Sequence, residues 1–283
     1  MDAIKEFCCQ FGELGRLNGI VTIPANESKP DVAVILVTAG FTPKAGPFRL
    51  YTLVARESAK KGLVCLRFDL GGIGNSEQLD TGKPLSVRTK LDIDHAVKFL
   101  KNEYGIKKYV LGGLCSGAED SFIYARHDPD VVGVFLIDGH AYITRGYRLR
   151  LIFSRKLVKK MGRVILSKLR LLPLIKHSNE SSLEGDQSGL VDYKQLDIED
   201  STVILKSLLS REVKLLYIYT AGMSDKFNGA KQFNEMFPKI DSKNLITLKY
   251  LPRMGHVQIF EEDRKEICGA ISNWLEGNFV YSG

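Results

Sequence analysis

The chain is poor in the residues that build a covalent or metal-bound scaffold. It has five cysteines in 283 residues, no Cys-x-x-Cys pair and only five scattered histidines. An odd number of cysteines, two of them adjacent at Cys8 and Cys9, is not the framework of a disulfide-bonded secreted domain. A reducing, cytoplasmic setting is therefore expected. Without zinc-ligand spacing anywhere, no metal is expected, and no cofactor. No run approaches the roughly 20 apolar residues of a membrane span. Asp2, Lys5 and Glu6 near the start are followed by no apolar h-region, so neither a secretory signal nor a mitochondrial presequence is read there. There is no internal repeat and no linker-like stretch, which leaves one domain over residues 1–283 as the expectation.

What is present is an alternation. From Val32 onward, short β-rich runs alternate with amphipathic segments of helix length, the pattern of a mostly parallel sheet with helices on both faces. Strands are expected at Val32–Val37, Leu63–Asp69, Lys108–Leu114, Val131–Ile137, Val213–Tyr219 and Leu245–Leu251. The first is a continuous aliphatic run, as suits a strand covered on two faces. Helices are expected over about 48–61, from a cap at Ser86 to Tyr104, over 116–126, near 230–236 and near 262–274.

Between His140 and Asp200 the rhythm breaks. A segment of this length is too long for an ordinary connection and reads as a lid or cap inserted over the carboxyl edge of the sheet, residues 140–200. Its first half carries an apolar stripe at helical spacing, from Leu149, Ile152 and Phe153 to Leu169 and Leu172. The opposite face is basic, with Arg148, Arg155, Lys156, Lys159, Arg163 and Arg170. The second half, with Glu180, Glu184, Asp186, Asp192, Asp197, Glu199 and Asp200, is acidic and reads as loop-rich. The net charge of +7 is thus unevenly spread.

The most informative stretch is Gly112-Gly113-Leu114-Cys115-Ser116-Gly117-Ala118. It sets a thiol between small residues two positions away on either side, at the junction of an expected strand and helix. Such a turn is tight enough to demand those small neighbours, and it lifts the central side chain clear of the sheet. Cys115 is the expected nucleophile. Ser116 is the competing centre, but that frame would put Leu114 at a small-residue position. A thiol has a reference pKa of roughly 8.5, which a helix N-terminus and a neighbouring imidazole can lower. The plain alternative is a small buried hydrophobe.

A base is expected in the loop after the last strand, and among the five histidines only His256, in Met254-Gly255-His256-Val257, lies there. The acid that orients it should follow a strand: Asp225 after Val213–Tyr219 is the first choice, and Asp138 at the end of Val131–Ile137 the second. The oxyanion donors are expected to be the backbone N–H groups of Phe41, after the first aliphatic strand, and of Ser116. Asp69 and Gly74, beyond the Leu63–Asp69 strand, read as structural, with Asp69 holding its loop by hydrogen bonds.

Together these residues resemble the α/β-hydrolase superfamily, over essentially the whole chain outside the insert. The resemblance implies an eight-stranded, mostly parallel sheet with a helical lid. Gly40 with Phe48-Arg49, Arg67-Phe68-Asp69 with Gly74 and Ser76, and Gly113 to Ala118 also resemble the small bacterial hydrolases associated with exosortase and exopolysaccharide systems, which likewise carry a cysteine in the elbow. This chain departs from them in its bulkier, more basic insert and in its Thr220–Asp225 loop. Dienelactone-type hydrolases share the cysteine but are smaller and lack such a lid.

The function expected is acyl hydrolysis (thioesterase or esterase) or acyl transfer through an acyl-cysteine on Cys115, His256 and Asp225. The rivals are lactone or carbon-acyl hydrolysis on the same groups, and a non-catalytic ligand-binding protein of the same fold. The basic and greasy faces of the insert point to an acyl group carried on acyl carrier protein or coenzyme A, or to peripheral contact with an anionic surface at the inner membrane. No nucleic-acid reader motif is present, and no nucleic-acid partner is expected.

Overall fold

The computed structural model describes residues 4–25, 30–78, 82–153, 196–242 and 244–280. Eight strands form one sheet: β1 (Ile4–Phe11), β2 (Leu17–Pro24), β3 (Val32–Val37), β4 (Val64–Phe68), β5 (Lys108–Leu114), β6 (Val131–Ile137), β7 (Lys214–Thr220) and β8 (Ile246–Leu251). Their spatial order is β1-β2-β4-β3-β5-β6-β7-β8. β1 and β2 form an antiparallel hairpin and β2 runs antiparallel to β4, while every pairing from β4 to β8 is parallel. The hairpin adds two strands to the six placed from the sequence pattern.

Side chains alternate across the pleat, so each central strand feeds two cores. Ala33, Ile35 and Val37 of β3 join one core, while Val34 and Leu36 join the other. The first core is roofed by helices α2 (Leu85–Tyr104), α3 (Ser116–Ala125) and α5 (Ile198–Ser210). The second lies under α1 (Leu50–Lys60) and α7 (Glu261–Phe279), which supply Leu50, Tyr51, Ile267, Ile271 and Leu275. α4 (residues 145–153) follows β6, and α6 (Gln232–Met236) follows β7.

Two expectations are corrected. Pro84 rather than Ser86 caps α2, and it does so without a side-chain hydrogen bond. The acidic residues Asp197, Glu199 and Asp200 are not the loop-rich end of an insert: they open α5. The Asp197 carboxylate accepts the Asp200 N–H, and Glu199 and Asp200 occupy the first turn, where the helix dipole favours negative charge. Ile204, Leu205 and Leu208 then bury the helix. Of the expected lid, Leu149, Ile152, Phe153 and Arg148 lie on α4. Arg155, Lys156, Lys159, Arg163 and Arg170, the rest of the stripe, and the acids from Glu180 to Asp192 lie outside the described residues. Among the described residues, no helix is long and apolar enough to cross a membrane.

Candidate active site

Three chemistry-bearing residues stand at the carboxyl edge of the parallel strands. Cys115 links β5 to α3 with φ 53° and ψ −122°, a conformation that L-residues avoid. The surroundings hold it there. Its N–H donates to the Ile137 carbonyl (2.8 Å), and its own carbonyl accepts the Ala118 and Glu119 N–H groups (3.1 and 3.2 Å). The flanking glycines are required by contact. A Cβ on Gly113 would come within 2.5 Å of the Val37 carbonyl oxygen, and one on Gly117 within 2.3 Å of the same atom. The elbow is therefore pressed against the end of β3, and only hydrogen fits between. The Cys115 residue itself is exposed.

A buried tyrosine completes this junction. The Tyr51 hydroxyl donates to the Val37 carbonyl (2.9 Å) and accepts the Leu114 N–H (2.8 Å), so it spans the point where β3 and β5 diverge, one residue before the thiol. Nothing in the local pattern around Tyr51 announces this role.

His256 follows β8, as expected. Its Nδ1 lies 2.9 Å from Asp138 Oδ2, and the Cys115 thiol is near enough to the imidazole to favour its protonated form. With Nδ1 turned to the carboxylate, Nε2 is left for sulfur. The carboxylate that meets His256 is thus that of Asp138, the second choice from sequence. Asp225, the first choice, is exposed; its carbonyl oxygen accepts the Tyr147 hydroxyl (2.7 Å), and its carboxylate is not the one beside the imidazole.

The reason lies in the loop after β7. Asp138 is fully buried and leaves β6 with φ 46°, its N–H given to the Ile218 carbonyl (2.9 Å). Its Oδ1 accepts the Thr220 N–H (2.7 Å), and its Oδ2 accepts the Thr220 hydroxyl (2.5 Å) as well as facing His256. Thr220 occupies the end of β7 and turns at once into a short 3-10 turn, Ala221–Met223. Gly222 in that turn lies against the imidazole, where a Cβ would fall 2.4 Å from His256 Cβ. The chain after β7 therefore packs against the histidine, and the carboxylate beside the imidazole comes from the end of β6.

The charge logic follows from these neighbours. The Asp138 hydrogen bond first, and the Cys115 thiol second, favour the protonated imidazole and push its pKa up to about 10 against the opposing effect of burial. The loop that carries the ring is held by Gln258, which is fully buried with φ 46° and whose Nε2 donates to the Gly255 (3.0 Å) and His256 (2.5 Å) carbonyls. His140 differs. It is wholly buried beside Phe122 and Tyr217, and burial lowers its pKa to about 4.

The two expected oxyanion donors lie on facing segments. Ser116 opens α3 directly after the thiol, and its hydroxyl accepts the Gly40 N–H (3.0 Å), tying the loop after β3 to the elbow. Phe41 follows in that loop, whose turn is closed by Thr42 N–H to the Ala39 carbonyl (2.9 Å). The Phe41 amide is used in neither bond. Asp69 anchors the other side of this loop: fully buried, it accepts the Lys44 N–H (2.6 Å), the Lys44 ammonium (2.5 Å) and the Asn75 N–H (3.0 Å). Among the described residues, no group of three His, Cys, Asp or Glu side chains is placed to hold a metal ion.

Solved structures share this arrangement of strands and helices. A lidless serine hydrolase from Xanthomonas campestris is 13% identical, with 99% of this chain and 97% of that one covered and a TM-score of 0.57. An esterase from Pyrococcus furiosus is 16% identical, covering 99% and 92%, with a TM-score of 0.58. A dienelactone hydrolase from Anabaena variabilis is 12% identical, covering 98% and 99%, also with a TM-score of 0.58. The chain has the α/β-hydrolase fold. No protein-family model matches it, and no curated protein does. The Xanthomonas structure is named for a serine, whereas the elbow of this α/β-hydrolase-fold protein carries Cys115.

Proposed function

We propose that the protein is an acyl hydrolase or acyltransferase working through an acyl-Cys115 intermediate, with His256 as general base and acid and Asp138 as the carboxylate that orients it. The observation that carries this reading is the pairing of Asp138 Oδ2 with His256 Nδ1 at 2.9 Å, with the Cys115 thiol of the elbow beside the same imidazole. Sulfur at the elbow attacks the carbonyl carbon of an ester or thioester with its proton already held by the imidazole, whose neighbours favour the charged form. The negative oxygen that forms is met by the N–H groups of Phe41 and Ser116. His256 returns the proton to the leaving alcohol or thiol as the carbonyl reforms, which leaves the acyl group on sulfur. Water, activated by the same imidazole, then releases the acid; an amine or alcohol in its place would make the reaction a transfer.

The names of the esterase and dienelactone hydrolase neighbours support acyl chemistry of this general kind. Lactone opening is the second reading, since the dienelactone hydrolase has this fold and the same groups would open a cyclic ester. Intact-mass spectrometry after incubation with acyl thioesters, activated esters and lactones tests the proposal. Wild type is expected to gain one acyl mass that Cys115→Ala does not, and His256→Ala is expected to gain it far more slowly. An adduct or turnover that survives in Cys115→Ala would remove the nucleophile assignment. A wild type that binds but never turns over would leave a ligand-binding protein of this fold.

A further inference from the structure

Large apolar side chains left in water forgo the free energy of burial, so their presence on the two loops that carry the site calls for an explanation. Phe41 (58% exposed) and Phe48 (53%) lie on the loop after β3, and Ile259 (55%) and Phe260 (68%) on the loop after β8. These are the same two loops that carry the Phe41 amide and His256. Neither loop is slack. The Tyr51 and Thr52 N–H groups donate to the Ala45 carbonyl and the Arg49 N–H to Gly46, while the Arg264 guanidinium donates to the Gln258 and Ile259 carbonyls. Phe48 (φ 46°), Arg49 (φ 65°) and Gln258 (φ 46°) are non-glycine residues held in the left-handed region. Such strain persists only where the surroundings impose it, and it gathers at sites of recognition. The exposed side chains are thus presented by rigid, strained turns.

Arg49 adds a charge to this collar. It is the residue before α1, next in the chain to Phe48, and it is exposed. Among the described residues its guanidinium pairs with no carboxylate, unlike Lys44 on the same loop, which is committed to Asp69. A planar guanidinium of this kind suits a phosphate or carboxylate group.

We propose that the site takes an amphiphilic acyl substrate: an aliphatic chain lies against Phe41, Phe48, Ile259 and Phe260, and an anionic group on the leaving portion is bound by Arg49. The inference rests on the acyl-Cys115 reading. Charge belongs on the leaving portion because the acyl chain occupies the apolar collar. The chemical class that fits is the thioester of a fatty acyl group with a phosphorylated carrier thiol. In the reaction, the carrier's C–S bond breaks as the Cys115 C–S bond forms, and the carrier sulfur leaves with the proton from His256.

The test is a matrix of kcat/KM values for acetyl, octanoyl and dodecanoyl thioesters of coenzyme A and of N-acetylcysteamine, which offers the same thioester without phosphate. Wild type is expected to prefer octanoyl over acetyl by tenfold or more, and the double variant Phe48→Ser, Phe260→Ser to lose most of that preference. Arg49→Gln is expected to lower the coenzyme A to N-acetylcysteamine ratio about tenfold, with Arg49→Lys restoring part of it. Arg126→Gln removes the same charge at the far end of α3 and should leave the ratio as in wild type. Equal rates for all chain lengths, or an Arg49→Gln ratio equal to wild type, with the Cys115 acyl adduct still formed, would overturn this inference and leave the acyl-cysteine reading standing. Absence of any Cys115 adduct across the matrix would overturn both.

Discussion

Gly222 lies so close to His256 that a single added carbon would fall 2.4 Å from the histidine Cβ and 2.7 Å from Nδ1. The contact packs the loop after β7 against the imidazole and makes it part of the histidine's seat. Gly222→Ala is expected to displace the ring from the line between Asp138 and Cys115. Overpacking of this kind costs roughly 1–3 kcal/mol. Turnover of the best substrate should fall by one to two orders of magnitude, an order-of-magnitude expectation from geometric misplacement. Alkylation of Cys115 by iodoacetamide, followed by mass spectrometry, would show whether the elbow is still open. Wild-type turnover in Gly222→Ala would mean that the ring is not held by this contact.

Two aspartates compete for the role of acid, and a pair of variants separates them. Asp138→Ala leaves the Thr220 N–H and hydroxyl without their carboxylate and His256 without its partner. Loss of about 10²–10⁴ in kcat is expected, the range for a misoriented general base. Asp225→Ala alters an exposed side chain whose carbonyl oxygen, not its carboxylate, carries the observed hydrogen bond from Tyr147. It should retain activity within a factor of about two. The reverse outcome, with Asp225 essential and Asp138 dispensable, would restore the assignment made from sequence order.

The elevated histidine pKa has a signed consequence for stability. A group whose folded pKa lies above its unfolded value, here about 10 against an ordinary value near 6.5, stabilises the fold fully below the ordinary value and loses that contribution as pH rises through the folded one. Asp138→Asn removes the first cause of the elevation. The advantage of wild type over this variant in thermal unfolding should be greatest near about pH 6 and shrink as pH climbs towards about 10. Differential scanning calorimetry across that window checks it. A difference that grows with pH would mean that the imidazole is held neutral in the fold.

How much of this was legible follows from where each constraint resides. The elbow was readable because its constraint is local: Gly113 and Gly117 are small on account of one carbonyl, that of Val37, and the small residues show in sequence even though the carbonyl does not. His256 was readable by elimination, as the histidine that follows the last strand. The acid was not. Asp138 and Asp225 both follow strands, and what decides between them is Thr220, which satisfies Asp138 through its backbone and hydroxyl together, and Gly222, which brings the ring into reach. Both features lie more than 80 positions from Asp138 in the chain. Helix α5 carries a signal with two meanings: by composition Asp197, Glu199 and Asp200 fit an acidic loop, yet an aspartate cap followed by first-turn acids also marks a helix start. The β1–β2 hairpin lies at the sheet edge with β1 mostly exposed, and its alternation Ile4-Lys5-Glu6-Phe7-Cys8-Cys9 lacks the aliphatic continuity that marked β3.

The junction between the Cys115 turn and the loop after β3 rests on one hydroxyl, and its removal is a sharp test of how the site is kept in shape. Tyr51 is buried, with 1% of its surface exposed, and its oxygen serves Val37 as a donor and Leu114 as an acceptor. Tyr51→Phe keeps the ring in its packing position but strands a buried carbonyl and a buried N–H. A penalty of about 1–3 kcal/mol in unfolding free energy is expected for the unsatisfied groups. Because Leu114 precedes Cys115 and Val37 precedes the loop to Gly40 and Phe41, the freed strand ends should also loosen the oxyanion geometry. That predicts a fall in kcat of about tenfold or more with KM little altered, since the donors act mainly on the charge that develops in the transition state. Urea denaturation measures the first effect and steady-state kinetics the second. A loss of stability with kcat intact would show that Tyr51 only supports the sheet, whereas loss of both would tie the hydroxyl to the positioning of the thiol and the Phe41 amide.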